Sequence, residues 1–220
     1  MNRTEKRPFD YQQAQKEATA WFDAHYREAA NALEAVALAR GEANPLLREY
    51  LERGETKPSK AIVIGCGLGD DAQALHEAGF EVTAIDFSPE AIKWAKARFG
   101  ENAIDFRVAD LFDLPQELLG RFDFVFEAFT IQFLPLSLRE RVITAIASLM
   151  APRGRLLAVC HAKLDDEHFD GPPWPLTFNE LRLFTMKACR ELEFSIYKEP
   201  SELSSMKVRA LFQKEHQENH

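Results

Sequence analysis

One strand-to-helix junction carries the first group of residues with a chemistry of their own. Gly65-Cys-Gly67-Leu-Gly69 follows the apolar run Lys60-Ala-Ile-Val-Ile64. Glycines at such a junction permit positive φ and let a ligand approach bare backbone. About 20 residues further on, Asp86 ends a second apolar run, the place from which a carboxylate accepts hydrogen bonds from ribose hydroxyls. Loop, strand and distal acid together point to an adenosine-containing ligand bound beyond the carboxyl ends of parallel strands. The sixth loop position separates the possible ligands. Dinucleotide sites carry a third glycine there, whereas this chain has Asp70, followed by Asp71. Acids at a helix N-terminus repel a diphosphate. They suit a ligand without phosphate and with a cationic amino group, a description that fits S-adenosylmethionine and not NAD.

The elements that must hold these residues follow from the hydrophobic pattern. Strand-like runs occur at 60–64, 81–85, 104–109, 122–126, 155–160, 192–198 and 206–213. Between them, helices are predicted over 70–78, over 89–99 with Ser88 as cap and Pro89 at the first position, and over 138–150. Thr177 and Glu180 form a capping box that opens a helix running to about Arg190. Strand and helix alternate and then end in a strand pair, which predicts an α/β fold. The expectation is a doubly wound, mostly parallel seven-stranded sheet with an antiparallel C-terminal strand. Residues 9–40, rich in Ala, Glu and Gln, read as helix, and 45–51 as a second short one. Residues 1–59 are therefore an N-terminal helical extension or lid of the same domain, and 60–220 the main body.

Composition narrows the partners. The 220 residues carry 35 acidic and 27 Lys or Arg side chains, a net charge of -8. Nucleic-acid binding draws on neutralised phosphates, so DNA and RNA are not expected as partners. No stretch approaches the ~20 apolar residues of a membrane span, and the polar start of the chain is not a signal peptide. Cys66, Cys160 and Cys189 are few and far apart, which fits a reducing, cytoplasmic setting. A monomer or homodimer acting on a small molecule is the expectation.

Residues 60–160 resemble a class I S-adenosylmethionine-dependent methyltransferase, whose fold is Rossmann-like. The matching segments are Ile-Gly-Cys-Gly-Leu-Gly69, Ala-Ile-Asp-Phe-Ser-Pro89, Val-Ala-Asp-Leu-Phe112, Phe-Asp-Phe-Val-Phe-Glu127 and Leu-Met-Ala-Pro-Arg-Gly-Arg155. The resemblance implies that Gly65, Cys66 and Gly67 touch the methionine part, Asp86 the ribose, Phe87 the adenine face, Asp110 its exocyclic amine and Leu111 the ring through backbone. Gly69, Asp71, Ser88, Phe112 and Glu127 complete the implied cofactor set. Many members carry an acid two residues before the first glycine. Here that position is Val63, and Asp70 or Asp71 is left to face the methionine amine. The early acid after the loop, together with Gly-Pro-Pro173 after the fifth strand, resembles the thiopurine, tellurite-resistance and halide/thiol methyltransferases.

Acceptor pockets in this fold lie beyond the fourth strand and under the N-terminal helices. Glu127 and His161 are the candidate catalytic groups, and Trp21, Tyr26, Phe129, Gln132 and Trp174 the candidate pocket residues. No strong base constellation accompanies them. That suits a soft nucleophile such as a thiol, which is partly ionised near neutral pH. An O- or N-methyltransferase of a small metabolite, or a non-catalytic S-adenosylmethionine-binding regulator, is the alternative. No metal site is expected. His161, Asp165, Asp166 and His168 cluster in sequence without a recurring ligand pattern.

Overall fold

The computed structural model describes residues 41–55, 57–100, 102–170, 172–198 and 206–216, and within 1–40 the helical residues Gln13, Lys16, Ala20 and Ala24. The expected extension over 1–59 falls largely outside the described residues.

A strand covered on both faces must be apolar at successive positions, and Ala61 to Ile64 are all at most 2% exposed. They form β1 (Lys60–Ile64), which pairs in parallel with β2 (Glu81–Asp86) on one side and β4 (Phe122–Ala128) on the other. β3 (Asp105–Val108) lies outside β2, and β5 (Met150–Lys163) beside β4, both in parallel. β8 (Met206–Lys214) then runs antiparallel to β5, and β7 (Cys189–Lys198) antiparallel to β8 at the edge. The order is β3-β2-β1-β4-β5-β8-β7, and β6 (Leu176–Thr177) adds a two-residue parallel pairing to β5. The sheet thus has eight strands. The eighth lies in what the sequence reads as loop.

Side-chain alternation divides the sheet into two cores. Ile62, Ile64, Val125, Leu156 and Ala158 point to one side, packed by α4 (Arg139–Leu149) and by Leu181 of α5 (Phe178–Arg182). Ala61, Val63, Phe124, Phe126 and Leu157 point to the other. There they meet α1 (Pro45–Glu52), α2 (Asp70–Glu77) and α3 (Pro89–Phe99) through Leu47, Tyr50, Leu75 and Ile92. Among the described residues no helix is long and apolar enough to cross a membrane.

The helix predicted to reach Arg190 is shorter. Its capping box forms, with Glu180 N donating to Thr177 Oγ1 at 3.1 Å and Thr177 N to Glu180 Oε2 at 2.8 Å. α5 nevertheless stops at Arg182, a 3-10 turn covers Leu183–Lys187, and Ala188 turns at φ 55°. Cys189 is then already opposite Lys214 in the sheet. Strand pairing captures a segment whose apolar spacing alone suits either period. β5 is likewise longer than its apolar run, because Met150 pairs with Phe122 and Ala162 with Leu176.

One buried cation clips α1 to the antiparallel edge of the sheet. Arg209, 1% exposed on β8, donates from Nη2 to Glu193 Oε1 at 2.6 Å and lies 3.1 Å from Glu49 Oε1. Arg53 reaches Glu193 Oε2 at 2.8 Å and Glu49 Oε1 at 2.9 Å. Burial by itself would raise the Glu193 pKa, but hydrogen bonds from Arg209, Ser195 and Arg53 outweigh it and hold the group at about 2. A carboxylate depressed in the fold stabilises it above the ordinary carboxylate range, and that stabilisation is lost as pH falls toward 2. Glu193→Gln is expected to lower stability at pH 7 by about 1.5–3 kcal/mol, the worth of a hydrogen bond to a charged group. In thermal melts the gap from wild type should close between pH 4.5 and 2. A gap that stays constant across that range would show that the charge on Glu193 is not what matters.

Candidate active site at the carboxyl ends of the central strands

β1 ends at Ile64 and the chain turns through Gly65, at φ 59°. A Cβ there would overlap Thr130 Oγ1, whose hydroxyl donates to Ile64 O at 3.2 Å. Glycine is thus demanded by the close approach of the loop after β4. Gly69, at φ 89°, caps α2, and a Cβ on it would sit 3.0 Å from the Phe106 ring. Cys66, 8% exposed, lies between them with its N–H on Ile85 O at 3.0 Å.

Asp86 closes β2 and joins this loop to the next helix. Its Oδ2 accepts from Gly67 N and its Oδ1 from Ser88 N, each at 2.9 Å. Burial raises its pKa, while the N–H groups of Ser88, Gly67 and Phe87 pull it back. Ser88 is fully buried and its Oγ accepts from Ala91 N at 3.2 Å, so its hydroxyl caps α3. Phe87 is half-buried between the two.

The two acids of α2 have different surroundings. Asp70 is held by Arg98 through both carboxylate oxygens, at 2.6 and 2.9 Å, and Arg98 also donates to Leu68 O at 2.7 Å. Its charge is cancelled locally by this guanidinium. Asp71 accepts from Asn44 N at 2.6 Å, tying α2 to the start of α1, where the Asn44 side chain accepts from Leu46 N. Beyond β3, Asp110 Oδ1 accepts from Phe112 N at 2.8 Å and shapes the turn that carries Leu111. The Phe112 ring lies 4.9 Å below the Arg141 guanidinium.

Glu127, the last residue but one of β4, is fully buried. Its Oε1 accepts from Thr130 N at 2.7 Å and Ile131 N at 3.1 Å, while its Oε2 has no hydrogen-bond partner among the described residues. Burial lifts its pKa to about 7, against the backbone donors and the positive field of Arg139. The same turn places Phe129, at φ 64°, with its ring stacked on His161 at 5.2 Å between centroids. Gln132, 1% exposed, accepts from His161 N at 2.9 Å through its side chain and from Trp174 N at 2.7 Å through its carbonyl. Glu127, Phe129, Gln132, His161 and Trp174 therefore belong to one cluster. Trp21 and Tyr26 lie outside the described residues. Among the described residues no three His, Cys, Asp or Glu side chains are grouped to hold a metal ion, and His168 lies 3.3 Å from Asp170.

Four contributors escape the sequence reading: Thr130, Asn44, Arg98 and Arg139. Arg139 left the clearest trace. It is the first residue of α4, where a cation opposes the helix dipole, and it is only 3% exposed.

The thiopurine S-methyltransferase (TPMT) family model matches residues 28–217. The ubiquinone biosynthesis O-methyltransferase of Xanthomonas axonopodis pv. citri (strain 306) is 34% identical over 116 residues, 51% of this chain and 48% of that protein. The chain thus spans about half the length of the curated relatives it matches. Among solved structures, Burkholderia thailandensis 1,6-didemethyltoxoflavin-N1-methyltransferase, with bound 1,6-didemethyltoxoflavin and S-adenosylhomocysteine, superposes with a TM-score of 0.72 at 17% identity, covering 96% of this chain and 93% of that one. Magnesium protoporphyrin IX methyltransferase from Synechocystis PCC 6803 gives 0.70 at 15% identity, over 91% and 99%. With the strand order, the glycine loop and its paired acid, these matches lead to one conclusion: the chain belongs to the thiopurine S-methyltransferase family of class I S-adenosylmethionine-dependent methyltransferases.

Proposed function

We propose that the protein transfers the methyl group of S-adenosylmethionine to a small, soft nucleophile, with a thiol as the first acceptor class. The observation that carries the cofactor half is the Asp86 bridge. A buried carboxylate spans from the glycine loop to the start of α3 at the carboxyl end of β2. A carboxylate offers about four acceptor positions, so the backbone donors of Gly67, Ser88 and Phe87 leave room for a ribose hydroxyl. The glycine loop offers a face without side chains, and the cancelled charge of Asp70 leaves Asp71 as the acid nearest the loop for a methionine ammonium.

Bound there, S-adenosylmethionine supplies a methyl carbon already activated by its sulfonium. The chain's own residues hold and align. Gly65, Cys66, Gly67 and Gly69 take the methionine portion, Asp86 backed by Ser88 the ribose, and Phe87, Asp110, Leu111 and Phe112 the adenine. Phe129, Gln132 and Trp174 line the acceptor side. Alignment of this kind supplies up to ~7–11 kcal/mol of an in-line displacement. The division into an extension, 1–59, and a catalytic domain, 60–220, belongs to the same proposal. So does a cytoplasmic setting, which three free, buried cysteines support.

Sulfur is supported by the family match and by the chemistry of thiols, which ionise without an enzymic base. A second reading, an oxygen acceptor, is favoured by Glu127. Its pKa of about 7 and open Oε2 are what a general base needs, and the Xanthomonas relatives are named O-methyltransferases.

Asp86→Asn is expected to weaken S-adenosylhomocysteine binding at least about tenfold in calorimetry, through loss of charge-assisted hydrogen bonds. NAD should give no heat, and tight NAD binding would refute the cofactor assignment. Glu127→Gln separates the acceptor readings. With thiols its kcat should stay within about threefold of wild type, whereas with phenols a lost general base costs about 100-fold. The same variant carries a stability signature. A carboxyl raised to about 7 favours the fold fully below its ordinary range and loses that contribution as pH rises to about 7. Glu127→Gln should therefore gain melting temperature over wild type between pH 4.5 and 7, and no gain would place the Glu127 pKa near its ordinary value.

A further inference from the structure

The segment after β5 approaches the acceptor side only because its backbone is tied down. Trp174 is held on both of its peptide groups. Its N–H donates to Gln132 O at 2.7 Å, and its carbonyl accepts from Arg139 Nη2 at 2.7 Å. Arg139 also places Nη1 3.4 Å from Glu180 Oε2, the oxygen that accepts from Thr177 N in the capping box of α5. One guanidinium thus joins the start of α4, the carbonyl of Trp174 and the start of α5. The Gln132 that fixes the other side of Trp174 directly follows Thr130 and Ile131, the two residues capped by Glu127. Its side chain carries His161 as well. A continuous chain of contacts therefore runs from Gly65 through Thr130 and Gln132 to Trp174 and Arg139.

Arg139 is buried, yet it makes no hydrogen bond to Glu127 and none to the glycine loop. The charges around it are Glu180 and Glu127, with the Cys160 thiol nearby; burial lowers its pKa, and their attraction offsets that cost only in part. A buried arginine on a carbonyl and a carboxylate uses a planar, two-point geometry that lysine cannot reproduce. Among the described residues its hydrogen bonds reach the acceptor side through the Trp174 carbonyl, while its charge also acts on Glu127, a charge that lysine keeps.

We infer that Arg139 is a positioning residue that determines acceptor affinity, by clamping the Trp174 carbonyl and so holding the indole as one wall of the acceptor site. This rests on the reading of Phe129, Gln132 and Trp174 as the acceptor side given above. A clamp of this kind changes how well an acceptor is held, and leaves both the cofactor site and the transferred methyl untouched.

The test uses the full chain with benzenethiol as acceptor. Arg139→Lys is expected to raise KM about tenfold, the worth of a charge-assisted hydrogen bond, with kcat and S-adenosylhomocysteine affinity within about twofold. In a Trp174→Ala background the same change should have less than about a twofold effect, because the two act through one contact. An Arg139→Lys effect that persists without the indole overturns the proposal, as does a parallel fall in cofactor affinity. If Arg139→Lys does not fold, Trp174→Ala decides alone: its half-buried ring is removable, and an unchanged KM refutes the clamp. A second readout needs no acceptor. With Trp21→Phe and Trp94→Phe, Trp174 is the sole emitter, and Arg139→Lys should at least double its acrylamide quenching while unchanged quenching refutes the clamp. No turnover with any thiol would defeat the sulfur reading and leave this measurement to judge Arg139.

Discussion

A single buried carboxylate at the end of β4 organises the functional end of the sheet. Glu127 caps the turn at Thr130 and Ile131, and everything near the site hangs on where that turn lies. Thr130 packs on Gly65 and bonds the last carbonyl of β1, so the turn shapes the glycine loop. Gln132, one residue past the cap, holds β5 at His161 and the Trp174 segment, so the same turn fixes both. An uncompensated buried charge is costly, and the pKa of about 7 shows that the backbone donors and Arg139 compensate Glu127 only in part.

The acids around the glycine loop divide their work according to their partners. Asp70 and Asp71 are neighbours in sequence, yet one is neutralised by Arg98 and the other receives the Asn44 N–H. Adjacent helical residues point about 100° apart, so they meet different elements. Asp86 is different again: it is buried and bridging, and among the described residues it is bound by backbone donors. The electrostatics suit a ligand with hydroxyls and a cationic group better than one with phosphates.

α1 is anchored from a distance. Arg209 and Arg53 interleave with Glu49 and Glu193 to tie it to β7 and β8. Tyr50 stacks on Phe124 at 5.6 Å from the same helix. Through Asn44 and Asp71 the start of α1 is also fixed to the cofactor loop's helix. The edge strands thereby support the loop across the width of the sheet.

The sequence by itself determined the alternation of strands and helices, the glycine loop, and the acid at the end of β2. These are local patterns: apolar runs of strand length, a Ser-Pro helix start, glycines at a turn. Glu127, Gln132 and Trp174 stand out locally, because they lie near the end of β4 or within a proline-rich loop. Tertiary structure alone decided who partners whom. Nothing near Arg139 in the chain announces Trp174, 35 residues away, and nothing near Asp70 announces Arg98, 28 away. It also ended α5 at Arg182, since Cys189 was claimed by pairing with Lys214. The physical reason is the same in each case. Backbone conformation responds to neighbouring residues, whereas burial, charge pairing and strand register depend on segments that folding brings together from far apart.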